Sequence, residues 1–394
     1  MSLTTSHTLL MYFHIRSYPI LLTIILLFFL SSCKINTGTH QFSLTPGKTF
    51  SFSSQFPIQK RYSKVFNDKS GQAIFCSYNT KTYKQIDLFT LDGKLLKSIP
   101  LKDVLTIEKS IYDVAPISTD SFWVLANYSN YVYLIGAEGN ILKQIKVDTS
   151  VPDSMRAEVR GSMLSGFCIN NNTFLFNCVY YYKDEKRAYT LSDYFKANKA
   201  HPYFLKMELA SDSKITFGLP GFYNRILKDG DAMPAESALY APIPQGILLT
   251  SWYSDSLYLI NDKDFSIKKA VKMTSKYSTI GCVPLTTKEF QEGADLNALF
   301  NHLGGVWSIS YDSFRNLIYI VLRGEADKNA TEPSKKKSLL IYNTNLQLQE
   351  EIKLDCNIYD LSEMYVIKEG LLINKTDKNN GNITKFQLFH VDKK

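Results

Sequence analysis

The sequence predicts an all-β protein: a six-bladed β-propeller of four-stranded antiparallel blades, closed by an N-terminal strand and preceded by a cleaved signal. Three observations carry this. One two-strand phrase recurs six times along the 394-residue chain. A second pair of strand-like runs lies upstream of each copy. The sixth copy breaks off at the C-terminus one strand short, while an alternating run near the N-terminus has no partner of its own. Serial four-stranded units of this kind build a propeller. Two stacked β-sandwiches are the alternative, and the regular repeat with its truncated last unit speaks against them.

The chain opens on a leader. Residues 20–30 (ILLTIILLFFL) are apolar and uncharged, with Arg16 upstream and Ser31-Ser32-Cys33 directly after. That order matches a secretory h-region followed by small residues, and the run falls short of the ~18 apolar residues that a spanning helix needs. Residues 1–10 carry no charge, so initiation at Met11 would leave a signal of ordinary length. A Cys after two small residues resembles a bacterial lipobox. The resemblance implies cleavage before Cys33 and lipid on that Cys. It makes residues 1–32 a lipoprotein signal peptide, 33–40 a lipidated tether and 41–394 the propeller. One acyl chain anchors only marginally, and the bacterial modification implied here places three on one Cys.

Residues 40–56 follow, with alternation in Phe42-Ser43-Leu44 and Phe50-Ser51-Phe52-Ser53. This run is expected to pair near residues 386–391 and supply the missing strand. An unpaired edge would otherwise expose N–H and C=O groups.

The repeated phrase is an apolar strand, a polar turn and an alternating strand, a hairpin signature. It reads IDLFTLDGKLLKSI from Ile86, YVYLIGAEGNILKQI from Tyr131 and LYLINDKDFSIKKAV from Leu257. It recurs from Leu339 and more weakly from Tyr203, and a last copy begins at Phe386. The turns fall near residues 93, 139, 212, 264, 345 and 392. In the second unit the four strands are placed at 112–117, 122–128, 131–135 and 141–147. In the fourth they are placed at 238–243, 247–253, 256–260 and 265–273.

Strand direction alternates within a blade, so the first-to-second and third-to-fourth turns share one face. The first-to-second turns are all short. The long excursions, residues 148–160, 182–201, 220–237, 274–303 and 324–337, all fall on the opposite face. Long connections without structure of their own are uncommon unless they function, which nominates that face for recognition. Thr286-Thr287-Lys288-Glu289 has capping-box spacing, so a helix is expected from there to Leu303. A second short helix is expected at residues 153–160.

The loop Tyr180-Tyr181-Tyr182-Lys183-Asp184-Glu185-Lys186-Arg187-Ala188-Tyr189 combines aromatic rings with charge, which suits a sugar or a peptide. Arg156, Arg160, Tyr223, Arg225 and Arg323 are predicted on the same face, where they could gather an anion over the central channel. With Tyr182, Arg187 and Tyr189 they form the candidate ligand-binding set. Rings covering a blade edge and solvated surface charge are the plain alternatives.

Composition limits the function classes. Hydrophobic residues make up 45% of the chain, with 25 Tyr and 24 Phe, enough for a large core. Removing residues 1–32 takes only Arg16, so the +8 charge falls to +7. That is mild, and Lys335-Lys336-Lys337 is the densest basic run, so no nucleic-acid partner is expected. Cys76, Cys168, Cys178, Cys282 and Cys356 remain after Cys33. An odd count without C-x-x-C spacing argues against a disulfide framework and a zinc site. Cys76, Cys168 and Cys178 sit in strand-like runs and read as buried thiols. His201, His302 and His390 are scattered, and no G-x-S-x-G, P-loop or H-E-x-x-H occurs. No catalytic residue, metal or cofactor is assigned.

The blade phrases, such as Leu91-Asp92-Gly93-Lys94 between its strands, together with the lipobox and short tether, resemble the six-bladed propeller lipoproteins of Bacteroidota, a family of unknown function. The resemblance spans residues 20–394 and implies a lipid-anchored envelope protein. Lipoproteins of that lineage bound for the exterior carry an acidic signal after the Cys. Lys34-Ile35-Asn36-Thr37-Gly38 has no acid, which implies an outer-membrane anchor facing the periplasm, with surface display as the alternative. The reading is a monomeric module, held to the membrane through Cys33, that binds a protein or glycan through its long-loop face. An envelope hydrolase or lyase with its site at the propeller mouth is the second reading, and a purely structural lipoprotein the third.

Overall fold

The computed structural model describes residues 41–53, 62–79, 84–108, 111–126, 129–149, 155–160, 167–170, 172–182, 201–209, 214–220, 231–232, 238–252, 254–281, 285–286, 304–325, 336–376 and 383–394. The expected signal peptide (1–32) and tether (33–40), Cys33 included, lie outside them.

Six antiparallel sheets follow one another along the chain. An isolated strand, β1 (Phe42–Ser53), comes first. Blade 1 is β2 (Tyr62–Asn67), β3 (Ala73–Asn79), β4 (Gln85–Thr90) and β5 (Leu95–Pro100). Blade 2 is β6 (Ile111–Ser118), β7 (Ser121–Ala126), β8 (Tyr131–Gly136) and β9 (Ile141–Lys146). Blade 3 is β10 (Met155–Arg160), β11 (Cys168–Asn170), β12 (Thr173–Tyr182), β13 (Pro202–Glu208) and β14 (Lys214–Pro220). A two-residue strand, β15 (Asp231–Ala232), precedes blade 4, which is β16 (Ala238–Ile243), β17 (Gly246–Ser251), β18 (Ser256–Ile260) and β19 (Ile267–Lys272). Another, β20 (Leu285–Thr286), precedes blade 5, which is β21 (Gly305–Asp312), β22 (Leu317–Arg323), β23 (Lys337–Asn343) and β24 (Leu348–Lys353). Blade 6 is β25 (Tyr359–Ile367), β26 (Gly370–Lys375) and β27 (Ile383–Lys393), with β1 as its fourth strand.

Within blades, the first strand is innermost. First strands of neighbouring blades lie against one another, β16 with β21, β21 with β25 and β25 with β2. The fourth strands of blades 2 and 4 are mostly exposed, four of six residues in each of Ile141–Lys146 and Ile267–Lys272, as expected of rim strands facing water. β1 shares that character. It runs antiparallel to β27, with Phe42 opposite Lys393 and Phe50 opposite Phe386.

Successive side chains of a strand point to opposite faces, and the second strands are buried along their length, as in Gly246–Ser251 and Leu317–Arg323, so apolar side chains fill the seams on both faces of a blade. Among the described residues the core divides into six clusters, one per seam. The seam between blades 6 and 1 is aromatic. Phe52 of β1 stacks on Phe75 at 4.4 Å and meets Phe386 edge-on at 5.8 Å. Burying one such ring contributes about 1.5–3 kcal/mol.

The expected helix at residues 153–160 is a strand. Met155, Ala157 and Val159 are buried, and these apolar residues alternate in the sequence with the charged Arg156, Glu158 and Arg160, of which Glu158 is also buried, a period of two rather than 3.6. β10 pairs with the far half of β12, Met155 opposite Tyr182 and Arg160 opposite Asn177. β11 pairs with the near half of β12. The inner strand of blade 3 is therefore in two pieces. The long connection before it ends at residue 154, not 160. Thr286, the expected helix cap, is instead paired in a strand with Asp231. Residues 287–303 lie outside the described set. The β15–β20 pair ties the connection before blade 4 to the one before blade 5. A short helix, α1 (Lys102–Ile107), joins blades 1 and 2 with Val104 buried. Among the described residues no helix is long and apolar enough to cross a membrane.

Candidate functional site

Inner strands of three blades carry a bulge near their starting end, the end that faces the long connections. In blade 2, Ile111 pairs with Ala126 and Asp113 with Leu125, so Tyr112 is extra. In blade 5, Val306 pairs with Leu322 and Ser308 with Val321, so Trp307 is extra. In blade 6, Asp360 pairs with Asn374 and Met364 with Ile373, leaving Leu361, Ser362 and Glu363 over. Bulges re-aim side chains and are over-represented beside functional sites.

The blade 5 bulge builds a cleft. Trp307 stacks on Trp252, which follows the second strand of blade 4, at 5.4 Å and 20°. Gly304 and Gly305 allow the approach. A Cβ on Gly305 would stand 2.2 Å from the Trp252 carbonyl oxygen, which accepts the Val306 N–H at 3.1 Å. Arg323 lies opposite both Gly305 and Lys337 in register. Two cations directly opposed are unfavourable. Here the Trp307 ring attracts both, with the Arg323 guanidinium 5.5 Å and the Lys337 ammonium 5.8 Å from its centroid. Lys337 is further neutralised by Asp360 at 2.7 Å. That ammonium and two hydrogen bonds from Ser362 hold the Asp360 carboxyl below its ordinary range against the effect of burial.

Trp252, Gly304, Gly305, Val306, Trp307 and Arg323 line a cavity of about 10 Å³, room for one water-sized group. Nε1 of Trp252 and Nε1 of Trp307 are both buried and have no hydrogen-bond partner among the described residues. Leaving such a donor unmade costs about 1–3 kcal/mol, so two at one cavity call for an acceptor.

Other charged groups of the inner strands are spent on structure. Asp113 accepts from Lys64 Nζ at 2.7 Å and from the Tyr78 hydroxyl at 2.5 Å, joining blades 1 and 2. Ser63 shares a short hydrogen bond with Tyr365, joining blades 1 and 6. Burial raises the Glu363 carboxyl above its usual range, and Asn374 donates to it. Among the described residues no cluster of three or more His, Cys, Asp or Glu could hold a metal.

Of the residues singled out from sequence, Arg323 stands in the cleft. Arg160 does not join it. Its guanidinium lies 3.3 Å from Glu158 Oε2 and 3.0 Å from the Tyr181 hydroxyl, within its own blade. Arg156 and Tyr182 sit on adjoining strands of that blade, opposite Tyr181 and Met155. Arg187, Tyr189, Tyr223 and Arg225 lie outside the described residues. Sequence reasoning missed Trp252, Trp307, Lys337 and Asp360. Paired glycines directly before Val306-Trp307 were the available signal, since Gly in a strand marks a bulge or close backbone approach.

The profile of a domain of unknown function, DUF4221, matches residues 39–353. The chain belongs to the DUF4221 family. No curated protein matches it. A crystal structure of a DUF4221 member from Bacteroides vulgatus is 18% identical, with a TM-score of 0.67, covering 90% of this chain and 99% of that one. This DUF4221 chain and that member therefore share a fold, in line with the resemblance to Bacteroidota propellers. A Bacteroides fragilis protein named as a putative exported protein is 8% identical, with a TM-score of 0.49, covering 91% of this chain and 97% of that one. A virginiamycin B lyase from Staphylococcus aureus is 15% identical, with a TM-score of 0.38, covering 88% of this chain and 99% of that one.

Proposed function

We propose that this DUF4221 propeller is a lipid-anchored module of the cell envelope that binds a ligand through the face bearing its long connections. The Trp252–Trp307 cleft is its centre. The observation that carries the reading is the pair of buried indole N–H groups without partners at one small cavity. Buried donors are nearly always hydrogen-bonded, so two unmet at one cavity, beside paired aromatics, support an acceptor there. Arg156, Arg160, Tyr182, Arg187, Tyr189, Tyr223 and Arg225 are the proposed flanking contacts. Lipid on Cys33 would hold the module to the membrane, facing the periplasm.

Two measurements test this. Immobilised protein is challenged with fractionated envelope glycans and peptides, and retention by wild type that disappears in Trp307→Ala supports the cleft. Retention unchanged in that variant removes it. Cys33→Ala should shift the protein from the membrane to the soluble fraction and abolish labelling by a fatty-acid analogue. Persistent labelling would overturn the anchor.

A further inference from the structure

The chain enters the propeller on the face opposite the long connections. β27 is the third strand of blade 6 and ends at Lys393, at the face where third strands reach their short turns. β1 runs antiparallel to it, with Phe42 opposite Lys393 and Ser53 opposite Ile383. β1 therefore starts at the short-turn face and ends at the long-connection face. Eight residues, 34–41, separate Cys33 from Phe42. A link of that length reaches at most about 30 Å. β27, along which β1 lies, rises about 33 Å from Ile383 to Lys393. Laying the long-connection face on a membrane that holds Cys33 would draw the link out fully along the height of the blade, at the entropy cost of fixing each of its residues.

The short-turn face also carries exposed apolar side chains. Among the described residues eight large hydrophobic side chains are exposed, and five of them stand at this face. Leu95 and Leu348 open β5 and β24, Leu96 and Leu142 are the second residues of β5 and β9, and Phe314 lies in the turn between β21 and β22. The other three, Ile107, Tyr277 and Ile358, are spread over separate connections of the opposite face. Single exposed apolar residues are ordinary, and it is their shared placement that matters. They come from blades 1, 2 and 5, so they form no continuous patch for a compact partner. A bilayer surface is extended and needs none, because it touches a face wherever that face projects. Acids and bases alternate in these turns, as in Asp68-Lys69, Asp262-Lys263-Asp264 and Lys368-Glu369. No excess charge selects anionic lipid or opposes a lipid surface.

Resting on the lipid-anchor reading above, we propose that the short-turn face lies on the bilayer that holds Cys33. Leu95, Leu142, Phe314 and Leu348 enter the headgroup layer, as apolar side chains of surface-bound proteins do. The long-connection face, with the Trp252–Trp307 cleft, then points away from that bilayer and takes its ligand from the far side.

The test uses full-length lipidated protein reconstituted into vesicles of phosphatidylethanolamine and phosphatidylglycerol. Flotation is read against Cys33→Ala. Hydrogen exchange, followed by mass spectrometry, then compares the anchored protein with soluble Cys33→Ala. On vesicles, exchange should slow at residues 91–97, 138–143, 313–316 and 344–349 and stay unchanged at 102–108 and 274–281. The same pattern should appear on phosphatidylcholine alone. Leu142→Glu combined with Phe314→Glu should still float and should lose the protection, with circular dichroism checking its fold. If wild type does not float, the anchor reading fails and this orientation falls with it. If it floats with the short turns unprotected, or with 102–108 and 274–281 protected instead, the anchor stands and the orientation is overturned. Protection retained in the double variant overturns the apolar contact. Protection that appears without vesicles as protein concentration rises assigns the face to a second copy and overturns the bilayer.

Discussion

Gly93 sits against the carbonyl oxygen of Ser51. A Cβ on Gly93 would stand 2.0 Å from that oxygen, and its φ is +89°. Gly139 repeats the relationship one blade on, against the Pro100 carbonyl at the same 2.0 Å, with φ +80°. The third-to-fourth turns of blades 1 and 2 thus tuck onto the outer strand of the blade before. For blade 1 that outer strand is β1, so β1 presents to blade 1 what β5 presents to blade 2. Gly93→Ala should cost about 2–3 kcal/mol, combining left-handed strain with a clash on backbone. Gly71 has φ +83° with nothing within 4 Å, so Gly71→Ala should cost only about 1 kcal/mol. Urea midpoints of the two variants check the difference.

Asp113 is a buried latch between blades 1 and 2. It receives Lys64, the Tyr78 hydroxyl and its neighbour's N–H at Val114. Burial first, and the adjacent Asp113 charge second, push the Tyr78 hydroxyl well above its ordinary range. Asp113→Ala strands a partly buried ammonium and a buried hydroxyl, and should lower stability by about 3–5 kcal/mol. In a double-mutant cycle with Lys64→Ala the coupling should exceed about 1 kcal/mol. Additive losses would show that the pair contributes nothing as a pair.

Glu363 gives a pH dependence with a definite sign. Burial raises its carboxyl in the folded protein above the usual 4.5, with the Asp360 charge adding to it. The folded state then holds its proton to higher pH than the unfolded state does. This group's contribution to stability is therefore complete below 4.5 and falls as pH rises toward the folded value. Glu363→Gln removes that loss and keeps the Asn374 contact available. Thermal melts from pH 4 to 7 should show the variant gaining on wild type as pH rises. A gain on acidification would reverse the argument.

The thiols separate by burial. Cys76 and Cys178 are fully buried, and desolvation pushes both up to about 12. Cys356 is partly exposed. Thiolate is the reacting species. At pH 8 iodoacetamide should therefore modify Cys356 more than about tenfold faster than either buried thiol. Peptide mass spectrometry after timed quenching measures this, and denaturant should erase the difference.

Much of the architecture was legible because it is local. The hairpin phrases predict β8 and β18 almost to the residue, since a turn residue such as Gly139 and a period of two are chain-local signals. The short first-to-second turns follow for the same reason. Residues 153–160 misled because eight residues with charges at spacing three and four also fit a helix. The buried Met155, Ala157 and Val159 decide for a strand only once β12 is there to pair with them. The cleft was hidden altogether. Trp252 and Trp307 are 55 positions apart in the chain, and nothing in either neighbourhood says that they stack.

By itself the chain determined the number of blades and the order of strands within them. Each of these is written in patterns a few residues wide. Only the tertiary structure decided which side chains meet at the mouth. One extra residue in β21 turns Trp307 toward Trp252, and the register across β22 and β23 sets Arg323 beside Lys337. A bulge changes no composition and little periodicity, so its consequence exists only where two blades press together.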